Sequence, residues 1–431
     1  MPIIGAYMVP HPPMSVYEVG GTSTLQITKT INSYKEVAEE IASLKPDTIV
    51  ISSPHAPLYK DAFYLINGDR AKGDFGRFGA PKVSFDEKVD TEFVDKLREL
   101  SKDKYLVSDK KDVPLDHGTM VPLYFIEKYI KDVPIVVIGI SGISLEANYE
   151  FGNLIKEASN KLNRNIVYVA SGDLSHRLQE YGPYGFDEKG PVYDEKIMDV
   201  MKNARFKELL EFDEELLDRA AECGHRSFIM MSGALENTKV NTKYYSHEDI
   251  TGVGYGICSY KPVDSYVELA KKTIDEFIRN DRVIDISEVE DKSLLDYQRA
   301  VFVSIHKKGN LRGCIGTVIP TKKSVAEEII SNAISASSKD YRFNKITVDE
   351  LDDLEINVDE LSPSTKVKDM NELDPKKYGV IVTSGYKRGV LLPDLEGVDT
   401  VEEQIEISKR KAGINPTEEI NIEKFTVIRH K

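Results

Sequence analysis

No stretch of this 431-residue sequence approaches the roughly 18 consecutive apolar residues that a membrane span requires. Cysteine is scarce as well. Cys223, Cys258 and Cys314 are odd in number and far apart, which leaves no disulfide framework and suits a reducing cytosol. Positive charge is in deficit: 57 Lys and Arg against 72 Asp and Glu give a formal net charge of -15. That balance argues against nucleic acid or an anionic membrane surface as a partner, since both demand basic surface. The N-terminal apolar run has no basic stretch ahead of it and is interrupted by Pro10, Pro12 and Pro13, so a signal peptide is not expected. Also missing are a P-loop, a G-x-G-x-x-G after a strand, a G-x-S-x-G elbow and a C-x-x-C, and with them the main support for nucleotide, serine-hydrolase and redox-dithiol chemistry. A soluble, cytoplasmic protein is the expectation.

What is present is ordinary in bulk, with 41% hydrophobic and 30% charged residues. The length exceeds what one hydrophobic core fills, so two domains are expected. Over 1–262, strand-like runs at 3–9, 48–53, 135–140 and 165–171 alternate with helix-like segments at 33–44, 90–101, 145–162, 194–211 and 225–236. Alternation of this kind predicts an α/β layered domain around a central, mostly parallel or mixed sheet. The Gly-, Asp- and aromatic-rich text at 56–86 reads as a surface excursion beside the site. Near Pro262 the pattern breaks, and a helix opens at about Ser265 with Ser or Asp available as its cap. From 265 to 431 the text reads as an α+β domain: helices at 265–280, 323–337 and 400–412, strands at 299–305, 311–318, 354–360, 378–383 and 388–392.

Four histidines stand where metal chemistry would need them. His11 and His55 each close an apolar, β-branched run at a proline, so both stand just past the carboxyl end of a strand, where ligand sites of α/β sheets collect. If those strands are neighbours, the two imidazoles would supply half of a two-His, one-carboxylate centre suited to Fe(II). Ala221-Glu222-Cys223-Gly224-His225 precedes an apolar helix and offers the third ligand. Glu222 is preferred as the carboxylate for iron; Cys223 as a thiolate would favour softer or borderline ions such as zinc. A capping turn with Cys223 packed inside is the plain structural alternative. His117, in Asp116-His117-Gly118, and His176, in Ser171-Gly172-Asp173-Leu174-Ser175-His176, suit acid/base work, because an imidazole titrates at roughly 6.5. Asp116 and Asp173 stand close enough in sequence to orient them, although tight turns use the same residues. His247, His306 and His430 read as surface or turn residues.

In the second domain, Leu311-Arg312-Gly313-Cys314-Ile315-Gly316-Thr317 is a strand-like run broken by two glycines. Arg312 and Cys314 would flank a small cleft there, with Lys387 and Arg388 as further cations, or Cys314 packs in a core while the glycines serve sheet geometry.

These motifs carry a resemblance over nearly the whole chain. Val9-Pro10-His11-Pro12, Ser53-Pro54-His55-Ala56-Pro57, Asp116-His117-Gly118 and Ser171-Gly172-Asp173-Leu174-Ser175-His176 resemble the LigB-like family of class III extradiol ring-cleavage dioxygenases and its Memo relatives. The resemblance implies Fe(II) on His11, His55 and a downstream glutamate, an acid/base role for His176, and a role for His117 in supporting substrate and O2. It also implies a small catechol-like aromatic substrate. Memo-like members carry Cys-Gly at the third position; Glu222-Cys223-Gly224 satisfies both patterns. Leu311–Thr317, with Gly385-Tyr386-Lys387-Arg388-Gly389-Val390-Leu391-Leu392-Pro393 and the segment 403–413, resembles the AMMECR domain. Together the halves are similar to the AmmeMemoRadiSam system protein A family, which implies a radical SAM protein as partner.

Overall fold

In the first half of the chain the strands are β1 (Ile3–Val9), β2 (Thr48–Ser53), β3 (Ala62–Leu65), β4 (Arg70–Phe75), β5 (Ala80–Lys88), β6 (Leu106–Ser108), β7 (Ile135–Gly139), β8 (Ile166–Ser171), β9 (Val240–Glu248) and β10 (Tyr255–Pro262). β2, β7 and β8 are buried at every position. Continuous Val/Ile runs of this kind need helices over both faces, because a bare face would leave branched apolar side chains in water. Helices Thr28–Leu44 and His117–Ile126 pack together as one cover, and Thr91–Ser101, Leu145–Leu162 and His225–Ala234 as the other. The computed structural model describes residues 3–395 and 397–430. It divides into two compact units, Met1–Pro262 and Val263–Lys431.

Eight strands of the first unit form one mixed sheet in the order β6-β3-β7-β2-β8-β1-β10-β9. β1, β8, β2 and β7 run parallel at its centre, and β10 and β9 extend it antiparallel. β1 and β2 are not neighbours: β8 lies between them and pairs with both. The text at 56–86, expected to be an excursion, contains β3 inside the sheet and the β4–β5 hairpin. The expected helix at 194–211 is a helix at Lys189–Lys202, then a left-handed Ala204 (φ 51°) and a short 3-10 turn at Phe206–Glu211.

The second unit is α+β. β11 (Ala300–Lys307), β12 (Asn310–Gly316), β13 (Leu354–Leu361), β14 (Thr365–Lys366), β15 (Gly379–Ser384), β16 (Lys387–Leu391), β17 (Asn421–Phe425) and β18 (Val427–His430) form two four-stranded sheets, β12-β11-β13-β18 and β14-β17-β15-β16. Helix Ser265–Asn280 starts where Asp264 accepts hydrogen bonds from the backbone N–H groups of Tyr266 and Val267, satisfying two donors that a helix start leaves free. Among the described residues no helix is long and apolar enough to cross a membrane.

Candidate metal centre

The parallel triplet β1, β8 and β2 places three chain reversals side by side at one sheet edge. Val9 pairs with Ser171, the last residue of β8, and Ser52 pairs with Ala170. His11, Asp173 with His176, and His55 therefore leave adjacent strand ends within a few residues of one another.

His11 is 1% exposed. Its Nδ1 lies 2.9 Å from Ser171 Oγ, and that hydroxyl donates its single proton to the Gly118 carbonyl at 2.5 Å. Ser171 Oγ can therefore only accept from the imidazole. This fixes the proton of His11 on Nδ1 and leaves Nε2 as a bare lone pair. That nitrogen is 3.0 Å from His55 Nε2 and 3.5 Å from Cys223 Sγ. The three ligand atoms all lie within 4.8 Å of one another. Tetrahedral ligands around one ion, with nitrogens at about 2.0–2.1 Å and sulfur at about 2.3 Å, stand about 3.3 Å (N to N) and about 3.5 Å (N to S) apart. The donor set and its spacing fit a single transition-metal ion with positions left over.

Glu222 is not in that group. Its carboxylate accepts from the backbone N–H of His225 at 2.5 Å, at the start of the helix His225–Ala234, whose N-cap residue is Gly224. Burial pushes its acid up to about 7. The carboxylate of Glu222, the preferred third ligand, is not brought to that group; among the described residues the thiol of Cys223, the alternative, stands with His11 and His55. Ala221, just before the pair, is left-handed (φ 52°) and ends the helix Glu214–Ala220.

Cys223 is also bolted to the loop after β8. Its Sγ accepts from Asp173 N–H at 3.3 Å, and Gly224 N–H donates to the Asp173 carbonyl at 3.0 Å. His176 N–H and the Ser175 hydroxyl both donate to the Ala220 carbonyl, at 3.1 and 2.9 Å. The approach is so close that a Cβ on Gly172 would fall 2.1 Å from Gly224 Cα. Asp173 Oδ1 accepts from His11 N–H at 2.7 Å, and Oδ2 is 3.9 Å from His11 Nε2. Asp173, His176 and Cys223 form a second set of ligand atoms mutually within 4.8 Å.

His117 opens the helix His117–Ile126, and its ring lies 4.1 Å from that of His55 and 5.3 Å from that of His11, centroid to centroid. Asp116 is occupied elsewhere. It accepts from Ser53 Oγ at 2.6 Å and from both the N–H and the hydroxyl of Thr119 as the helix cap, so it fastens the start of this helix to the end of β2. Burial is the leading cause of every histidine shift here: it lowers His11 well below its ordinary value, lowers His55, and brings His117 and His176 to about 4. Mutual repulsion among the imidazoles adds to the effect for His11, His117 and His176. Burial holds Asp173 up at about 7, and the same cause raises the Cys223 thiol well above its ordinary value. A cluster of neutral imidazoles and a protonated thiol wants a cation: binding one releases the thiol proton and removes the cost of burying the lone pairs.

Two partners of this centre carried no assignment in the sequence. Ser171 sets the His11 tautomer, and its only signal was a hydroxyl at the last position of a buried strand. Phe78, whose ring lies 5.4 Å from that of His117, belongs to the stretch read as an excursion.

In the second unit, Arg312 is spent on Glu350, at 2.9 and 3.1 Å, and on the carbonyls of Asn344 and Lys345. Cys314 accepts from Ser304 Oγ at 3.3 Å. Lys387 pairs with Glu418 and Arg388 with Glu423. Each of these cations has its own carboxylate. The glycines answer packing: a Cβ on Gly313 would meet the Ala336 carbonyl at 2.3 Å, and one on Gly316 the Phe302 ring at 2.2 Å.

Comparison with known proteins agrees with the division of the chain. Residues 5–258 match the family described as the catalytic LigB subunit of aromatic ring-opening dioxygenase, and residues 267–430 match AMMECR1. A protein of Clostridium acetobutylicum is 40% identical over an alignment spanning 100% of both chains. A protein of Thermotoga maritima is 51% identical over 38% of this chain and 97% of its own length. A crystal structure from Pyrococcus horikoshii, 28% identical, covers 38% of this chain and 88% of its own with a TM-score of 0.36.

Proposed function

From the premise that the chain belongs to the LigB family over residues 5–258, with an AMMECR1 module following at 267–430, we propose that its first unit is an iron-dependent dioxygenase of the extradiol type. It opens a catechol-like ring, with Fe(II) held by His11, His55 and Cys223. The observation that carries this reading is the meeting of those three ligand atoms within 4.8 Å, beside two further, half-buried imidazoles. When bound, the ion supplies Lewis-acid polarisation of adjacent substrate oxygens and electron transfer toward O2.

The remaining work falls to the chain. His176 and His117 are held neutral by burial, so each offers an unprotonated ring nitrogen to which a phenolic hydroxyl can donate. Asp173, anchored by the His11 N–H, fixes the loop that carries His176. Three free, dispersed cysteines suit a reducing cytosol as the site of action, and a radical SAM protein is the proposed partner.

Cys223 favours a second reading. A thiolate in place of a carboxylate suits zinc as well as iron, and a hydrolytic or tailoring enzyme, or a metal-binding scaffold for the partner, would use the same donors. The test is anaerobic loading with Fe(II), addition of protocatechuate and simpler catechols, then admission of O2. Yellow ring-opened product is expected. Iron bound at one equivalent with no product across the panel contradicts the dioxygenase, and stoichiometric zinc that depends on Cys223 in protein purified without added metal favours the second reading.

A further inference from the structure

Two aromatic rings at the mouth of the metal centre have no role in holding the fold's interior. Tyr184 is 59% exposed, and its ring stacks on that of His176 at 4.9 Å with an interplanar angle of 22°. Phe78 is 37% exposed and meets His117 edge-on at 5.4 Å and 64°. The imidazoles they touch flank the ligand trio: His117 packs against His55, and the ligand atom of His176 lies within 4.8 Å of Cys223 Sγ. The rings come from separate excursions more than a hundred residues apart in sequence.

Both excursions are braced, so neither ring is there by looseness. The loop that carries Tyr184 is closed by the Leu178–Phe186 bridge and by Asp187 N–H donating to the Arg177 carbonyl at 3.1 Å. Its backbone lies directly on a second turn: a Cβ on Gly252 would fall 2.6 Å from Gly182 Cα, and Leu178 N–H donates to the Gly252 carbonyl at 3.1 Å. Phe78 sits at the tip of the β4–β5 hairpin. There Gly76 N–H donates to Asp74 Oδ1 at 2.6 Å, and Phe75, fully buried, lies beneath it at 6.0 Å. Leu115 N–H donates to the Lys72 carbonyl at 2.7 Å and ties the hairpin to the Asp116–His117 segment. Rigid loops that end in half-exposed rings, each resting on a neutral imidazole, are preorganised for a flat apolar face.

We infer that Phe78 and Tyr184 are the specificity-determining walls of the first unit, and that they select a planar aromatic ring by contact with its faces and edge before metal chelation fixes it. The inference rests on the metal-site reading above and deepens it by assigning ring recognition to residues that bind no metal.

The experiment uses the full chain loaded anaerobically with Fe(II). Two probes are titrated by absorbance: 4-nitrocatechol, which offers a ring and two oxygens, and acetohydroxamate, which offers two oxygens and no ring. Tyr184→Leu and Phe78→Leu are each expected to weaken 4-nitrocatechol by about five-fold, the scale of one aromatic contact. Tyr184→Phe is expected to retain wild-type affinity, and acetohydroxamate affinity and iron content are expected to stay unchanged throughout. Unchanged 4-nitrocatechol affinity in both leucine variants overturns the inference, as does an equal loss for both probes or a wild-type protein that holds iron and binds no 4-nitrocatechol. Selective loss of 4-nitrocatechol in the variants, together with no ring opening by the wild type, upholds the walls and defeats the dioxygenase reading alone.

Discussion

Glu222 and Cys223 are adjacent in sequence and face different tasks, one at a helix start and the other at the imidazole pair. Cys223→Ala is expected to lose stoichiometric metal, whereas Glu222→Ala keeps it and, at a pH where its carboxyl is still protonated, lowers stability by about 1 kcal/mol, the usual worth of one hydrogen bond. Metal analysis and thermal melting of the two variants separate these outcomes. The sequence showed both candidates and preferred Glu222; it did not reveal that this carboxylate accepts from the His225 N–H at the start of the following helix. His11 and His55 were legible: each ends a buried run at a proline, a signal that survives without coordinates. Ser171 is a harder case. By accepting from His11 Nδ1–H, its hydroxyl fixes which ring nitrogen is free. Ser171→Ala is therefore expected to weaken metal binding by about 10–100-fold, as loss of a supporting partner does at other metal sites. A titration against a competing chelator reads the change, and an unaltered affinity would remove Ser171 from the account.

Among elements, the decisive arrangement is β8 between β1 and β2. The sequence placed both histidines at the right edge of the sheet and left open whether their strands are neighbours, since apolar runs reveal a buried strand but not its place. The intervening strand is what brings Asp173 and His176 to the same sheet edge as the two histidines. Short strands such as β3 were hidden because four residues carry too little periodicity, and β9 alternates exposed and half-buried positions without a strong apolar side. The loop after β8 and the turn before helix His225–Ala234 form one unit through Gly172 and Gly224. Gly172→Ala would force apart two backbones that already touch, since the added Cβ would stand 2.1 Å from Gly224 Cα. It is expected to cost more than tenfold in metal affinity while far-UV circular dichroism shows the helices and sheet intact. Full metal affinity in that variant would mean that the two segments need not touch to build the centre.

For the whole molecule, burying so many titratable groups gives a definite pH response when no metal is bound. His117, His176 and His225 are held near 4, and His11 and His55 are also lowered, so the unfolded chain binds more protons than the folded one between about 4 and 6.5. Stability from these five groups therefore rises with pH across that window. Asp173 and Glu222, held up at about 7, and Glu127, raised to about 8 by burial and by Glu87, act in the other direction, and their cost is complete only above those values. Five imidazoles outweigh four carboxyls below 6.5, the fourth being Asp194, which burial also raises, and above it the carboxyls act alone. The melting temperature of metal-free protein is expected to climb to about pH 6.5 and to fall toward pH 8; a steady rise through pH 8 would contradict these burial effects. The central claim, that His11, His55 and Cys223 share one ion, is tested most directly by X-ray absorption of the iron-loaded full chain. The account requires one sulfur scatterer at about 2.3 Å beside two imidazoles, with the sulfur gone in Cys223→Ala. A first shell of nitrogen and oxygen alone in the wild type, unchanged by that substitution, would contradict it.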